Sequence, residues 1–226
     1  MAATDSLRTR VRAIAAGAQS GFSMLEILIS MFIMAIGLLG LIGMQAMAQT
    51  SGLESYQRAQ ALVLLSDIVD RINTNRSFNA ARTNSAAECY AITANSANGT
   101  PYLGTAAGGS HYNVAGFSCP QLATNPAAQG RAQYDLQEID NMLQGAAEAL
   151  AGGQVGAMIG ARACIGFDAV NQNYTVAVAW QGVSPTFSPA TWANVSPFAT
   201  NCALGLYGVD TQRRVVWTTL RIALLQ

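Results

Sequence analysis

Between Glu26 and Glu54 the chain carries no charged residue, and across positions 27–44 the only polar side chain is Ser30. Eighteen residues of α-helix rise about 27 Å, close to the ~30 Å hydrocarbon thickness of a bilayer. A run this long and this apolar reads as membrane-spanning, and it limits the fold to an anchored helix with whatever the remaining chain can build beside it. Ahead of the run, Arg8, Arg10 and Arg12 face a single Asp5, a bias that sets the N terminus in the cytoplasm. A secretory signal would be cut beyond its apolar core, but the positions there, around 46–49, lead into more helical pattern instead of a loop. An uncleaved anchor therefore stays open as one reading of the segment.

Composition removes most chemistry. All 12 basic residues are arginine, so a Walker-type phosphate loop, a Schiff base and a Ser–Lys dyad are excluded. His111 is the one histidine, which rules out two-histidine metal motifs, and its Gly/Ser/Asn surroundings read as a solvated loop. Net charge is zero with 11% charged residues, and Arg213 and Arg214 alone make no nucleic-acid footprint. Gly153, Gly156 and Gly160 do not have dinucleotide-loop spacing, and Trp180, Trp192 and Trp217 read as core or interface. No catalytic residue, metal site or cofactor is expected.

The junction Gly21-Phe22-Ser23-Met24-Leu25-Glu26 is specific. A carboxylate inside a hydrophobic segment costs roughly 2.5–3.5 kcal/mol on insertion scales, so it calls for a cationic partner. An amine exposed by a cut after Gly21 would be one. The junction resembles the class III leader of type IV prepilins. The resemblance implies cleavage between Gly21 and Phe22 by a prepilin peptidase, methylation of the new Phe22 amine, and pairing of Glu26 with a terminal amine, commonly a neighbouring subunit's, during filament assembly.

The helical pattern continues to about residue 73, some 75 Å of helix from 24 onward. Leu62, Leu65, Val69 and Ile72 make its apolar stripe, with Asp67, Asp70 and Arg71 off that line. Gly37, Gly40 and Gly43 fall three apart; close helix approach, local loosening and ordinary transmembrane glycine are all compatible with them. The run Ala35-Ile36-Gly37-Leu38-Leu39-Gly40-Leu41-Ile42-Gly43-Met44-Gln45 resembles the PilV family of minor pilins, called type IV pilus modification proteins. So does Asp70-Arg71-Ile72-Asn73-Thr74-Asn75-Arg76.

Beyond the helix, residues up to about 132 are small and polar and predict loops with little regular structure. Asp135 then opens a helix with Glu138 returning to the cap; Leu136, Ile139, Leu143, Ala147 and Leu150 line its apolar side, and Gly152-Gly153 stop it. A strand near 161–167, a turn at Asn171-Gln172-Asn173, a strictly alternating strand at 174–180, a loop at 183–201 and a last strand from 213 to 225 complete the pattern, the last with Val216, Leu220, Ile222 and Leu224 inward. The head is similar, more loosely, to the PilV family at Cys164-Ile165-Gly166-Phe167, from Tyr174 to Gly182, at Cys202 and at Arg213-Arg214-Val215-Val216.

The fold expected is α+β and type IV pilin-like: a cleaved leader at 1–21, a long N-terminal helix at 22–73 with 22–44 transmembrane, and a head at 74–226 on a small antiparallel sheet. Cys89, Cys119, Cys164 and Cys202 form no C-x-x-C, and an even count in an exported head favours two disulfides. Of three pairings, Cys89–Cys119 with Cys164–Cys202 is favoured because each closes a local loop; order alone does not decide. The resemblance implies a low-abundance complex at a pilus tip that primes polymerisation, with the major pilin, other minor pilins and a tip adhesin as partners. It places the protein in the bacterial inner membrane with a periplasmic head before assembly, and at the pilus surface afterwards. A type II secretion pseudopilin has the same shape. A membrane-anchored periplasmic binding domain or enzyme with an uncleaved helix is the alternative of another class.

Overall fold

A computed structural model of the chain describes residues 21–76, 86–94, 97–105, 110–145, 149–150, 153–154, 158–192 and 195–222. Two compact units divide at Met47 and Ala48. Helix α1 runs Met24–Thr74 and is opened by Ser23, whose Oγ accepts from the Leu25 N–H at 3.3 Å. The other elements are α2 (Pro126–Gln144), α3 (Pro197–Thr200), and strands β1 (Leu103–Gly104), β2 (Ala149–Leu150), β3 (Gly153–Gln154), β4 (Arg162–Asp168), β5 (Asn173–Gln181) and β6 (Arg213–Arg221). The strands β1-β4-β5-β6 form one sheet, antiparallel at every pairing, and β2-β3 form a separate two-stranded pair. The architecture is α+β, a long N-terminal helix with a small antiparallel sheet.

The alternation of β5 sorts the core. Tyr174, Val176, Val178 and Trp180 join one buried cluster with Ala61, Leu65, Ile68 and Ile72 of α1 and Leu136, Ile139 and Leu143 of α2. Ala177 and Ala179 belong to a second cluster with Tyr102, Cys164, Cys202 and Tyr207. Period-two alternation puts successive side chains on opposite faces, so β5 contributes to both. Val216, Leu220 and Ile222 pack against the first cluster as the sequence predicts; Leu224 lies outside the described residues.

Three sequence expectations are corrected. The buried line of α1 passes through Gln57, Ala61, Leu65, Ile68 and Ile72, not Leu62 and Val69. Leu62 is 47% exposed and Val69 is partly buried. A small residue, Ala61, lies on the buried line, and a pattern read from bulky residues passes over it.

Second, α2 begins at Pro126, nine positions before Asp135. Asn125 caps it, its Oδ1 accepting from the Ala128 N–H at 3.1 Å, and Pro126 suits a first-turn position because its missing N–H has no helical partner there. Asp135 is thus buried inside the helix and is no cap. Gly145, at φ 78°, ends it in the left-handed conformation that glycine adopts without a Cβ clash. The stop expected at Gly152-Gly153 falls beyond that end, and Gly152 and Ala147 lie outside the described residues.

Third, the polar stretch before 132 holds regular structure: 3-10 turns at Ala86–Tyr90, Val114–Gly116 and Pro120–Leu122, strand β1 and the first turns of α2. The 183–201 loop likewise includes a 3-10 turn at Pro189–Thr191 and the short α3.

Two disulfides staple these segments. Cys89–Cys119 (Cα–Cα 5.4 Å) ties the Ala86–Tyr90 turn to the residue before Pro120, and Cys164–Cys202 (Cα–Cα 5.8 Å) ties β4 to the residues after α3. They close separations of 30 and 38 residues. Loops of that length restrict the unfolded chain by about 3–4 kcal/mol in the chain-entropy account. Replacing Cys164 and Cys202 together by alanine should therefore lower stability by about 2–5 kcal/mol, read as an earlier denaturation midpoint in full-length protein; an unchanged midpoint would contradict it.

Burial also holds three tyrosines protonated. It pushes Tyr174 up, with Glu88 adding to the effect; it pushes Tyr90 up, aided by the bond Tyr90 donates to Asp135; and it pushes Tyr207 up to about 12, against the opposing charge of Arg162. The folded state keeps these protons where an unfolded tyrosine, near 10, has lost them. Stability should hold below pH ~9.5 and fall steadily above ~10, and denaturant midpoints between pH 9 and 11 would show the break. A flat profile across that window would be contrary to the burial argument.

Candidate functional site

The N-terminal unit presents its apolar side chains outward. Each described residue from 21 to 49 is exposed, including Phe22 at 81% and the methionines, leucines and isoleucines that follow. An apolar surface this continuous marks a membrane or protein contact rather than a solvated helix. The helix Met24–Thr74 is long and apolar enough to cross a membrane.

Glu26 lies in the first turn of α1, four positions from Phe22. Its backbone N–H donates to the Ser23 carbonyl at 2.9 Å, and Ser23 and Glu26 have the spacing of a capping box. A carboxylate there also faces the positive end of the helix dipole, a gain of about 0.3–1 kcal/mol. That is well short of the cost of a carboxylate in hydrocarbon. Among the described residues the Glu26 side chain has no hydrogen-bond or ion-pair partner, so the cation it calls for is not supplied by them.

Gly21 is notable for what does not hold it. A Cβ added there would meet no atom within 4 Å, and its backbone is not left-handed. Local packing gives no reason for glycine, so any requirement for a small residue is imposed by something that acts on the chain. The same holds for Gly37, Gly40 and Gly43, each open on the helix surface.

In the second unit the arrangement is structural. Asp135, 1% exposed at its side chain, accepts from Tyr90 Oη at 2.5 Å, Arg71 Nη1 at 3.1 Å and Arg131 Nε at 3.3 Å. Asp67, 2.6 Å from Arg71 Nε, completes the chain. Burial alone would lower Arg71, but its two carboxylates outweigh that and hold it above its ordinary value. His111 is not the solvated loop residue the sequence suggests: its Nε2 lies 3.0 Å from Asp140 Oδ1, while Asp140 also accepts from the Gly104 N–H and Gln144 Nε2. Neither Asp135 nor Asp140 gives a sequence signal beyond an acid one turn from a polar neighbour. Among the described residues no group of three or more His, Cys, Asp or Glu could hold a metal ion.

Residues 17–42, spanning the junction and the exposed start of α1, match the prokaryotic N-terminal methylation motif family. No curated protein and no solved structure matches the chain. The motif points to the type IV pilin-like class, pilins and pseudopilins together, whose members are generally structural and not enzymatic. Motif and apolar helix together support anchoring in a membrane, and the class implies dealings with a prepilin peptidase and with filament components.

Proposed function

We propose that the protein is a minor type IV pilin, most like the PilV family, that helps prime pilus assembly and sits in a low-abundance tip complex. The observation that carries this reading is the Glu26 carboxylate, without a partner among the described residues, on an exposed apolar helix and within the stretch that matches the methylation motif. In this account the leader 1–21 is cut away, the Phe22 amine is methylated, and Glu26 meets the terminal amine of a neighbouring subunit. Before assembly 22–44 spans the inner membrane and the head from 74 onward is periplasmic; afterwards both stand in the filament with the major pilin, other minor pilins and a tip adhesin. The finer placement in the PilV family rests on the runs 35–45 and 70–76 and on the looser likeness of the sheet strands.

The priming role is tested by deletion. A strain lacking the protein should carry few surface pili while its major-pilin level stays normal, and the wild-type gene should restore them. Normal piliation in the deletion strain would overturn priming and favour a secretion pseudopilin. The cleavage has its own test. Because the fold leaves space around Gly21, Gly21→Leu should not disturb the protein, yet it should block processing and leave the precursor in the membrane. Normal processing of that variant would contradict a cut at this bond.

A further inference from the structure

Where β6 begins, a cavity of about 300 Å³ opens between Arg58 of α1, Trp180 of β5 and the loop carrying Phe187 and Trp192. That is at the low end of the ~300–1,000 Å³ of ligand pockets, room for one large side chain rather than a cofactor. Trp180 is buried, while Phe187 is 70% exposed and Trp192 37% exposed. Large aromatic rings held toward solvent beside a cavity are characteristic of protein contacts. A second cavity of about 210 Å³ shares Arg58, Trp180 and Arg214 and continues along α1 past Ser55 and Ser51, so the recess is elongated.

Its charges do not cancel. Arg214 Nη2 donates to Glu54 Oε1 at 3.1 Å, and Arg213 Nε donates to Asp210 Oδ1 at 2.6 Å. Arg213 belongs to the other face of the sheet, its Nη1 held by the carbonyls of Thr200 and Cys202. Arg58 is exposed and has no hydrogen-bond or ion-pair partner among the described residues. On the face shared with Trp180, Arg58 and Arg214 thus share one carboxylate, leaving one positive charge unanswered in an otherwise aromatic recess.

We propose that this recess docks a peptide segment of a partner protein in which an aromatic side chain is flanked by carboxylates. The ring enters between Phe187 and Trp192 above Trp180, and a carboxylate meets Arg58. The inference stands apart from the filament role, because it rests only on the second unit. The full chain in lipid nanodiscs, labelled with 5-fluorotryptophan, gives one fluorine resonance for each of Trp180, Trp192 and Trp217. Titration with acetyl-Glu-Phe-Glu-amide should move the Trp180 and Trp192 resonances saturably and leave Trp217, which lines neither cavity, in place. Arg58→Gln, or the peptide with glutamine for glutamate, should weaken binding about three- to tenfold, the range of a partly exposed charge-assisted contact. Alanine for phenylalanine should abolish it, and an unmoved Trp217 resonance shows that Arg58→Gln is folded. No saturable shift, or equal affinity for the charged and uncharged peptides, would overturn the proposal. So would shifts that grow with protein concentration without peptide, which would give the recess to a second copy of the chain.

Discussion

Glu26→Ala should leave the protein in the membrane at wild-type level or above, processed normally, and should remove it from filaments. The helix carries one carboxylate in a span that otherwise has no charge from 27 to 53. Taking that carboxylate away removes an insertion penalty of roughly 2.5–3.5 kcal/mol. In the proposed pairing it also removes the attraction that fixes the axial position of one subunit against the next, and strands the neighbour's ammonium in a low-dielectric site. The ratio of sheared-filament to membrane protein, by immunoblot, should fall at least about tenfold, which needs only ~1.4 kcal/mol of lost attraction. Glu26→Asp, shorter by one methylene, should fall in between. Full incorporation of the alanine variant would refute the charge-pairing mechanism while leaving the fold untouched.

Asp135→Ala should be the most damaging single change in the second unit. Its carboxylate receives one bond from Tyr90, one from Arg71 and one from Arg131, and it joins the end of α1, the Ala86–Tyr90 turn and α2. Removal leaves the Tyr90 hydroxyl without an acceptor in a buried position and frees a half-buried Arg71 of one counter-charge. Breaking a buried pair by deleting one partner costs about 3–5 kcal/mol. Asp135→Asn keeps the size and one acceptor and should lose less. Arg131→Ala, whose side chain is largely exposed and whose bond to Asp135 is long at 3.3 Å, should cost under about 1 kcal/mol. Urea midpoints of the three variants would rank them; an Arg131 loss equal to that of Asp135 would contradict the network.

How much of this was legible in the sequence follows from what each signal is made of. The helix of α1 and the lone glutamate at its start are written as long-range hydropathy and a single charge, so they read directly. The alternation of β5 and its turn to β4 are local and period-two, and the sheet pairs them in that register. The face of α1 is hard to read because its buried line includes Ala61, and small residues carry little periodic weight. The start of α2 is hidden for the same reason: Ala128 and Ala132 are its buried apolar positions before Leu136, and the Asn-Pro start signal at 125–126 is less conspicuous than the acid at 135. Asp135 and His111 could not have been placed by pattern at all. Arg71 stands 64 positions from Asp135 and Asp140 stands 29 from His111, and only the packing of the folded chain brings them together.

The proposed filament role depends on one bond, between Gly21 and Phe22. Intact mass and fragmentation of the protein purified from its native host, membrane and filament fractions alike, read that bond directly. The expected result is a chain beginning at Phe22 and heavier than the unmodified sequence 22–226 by one methyl group. A mature protein that still begins at Met1 with Phe22 internal would contradict it, and would make the chain a membrane-anchored domain instead of a filament subunit.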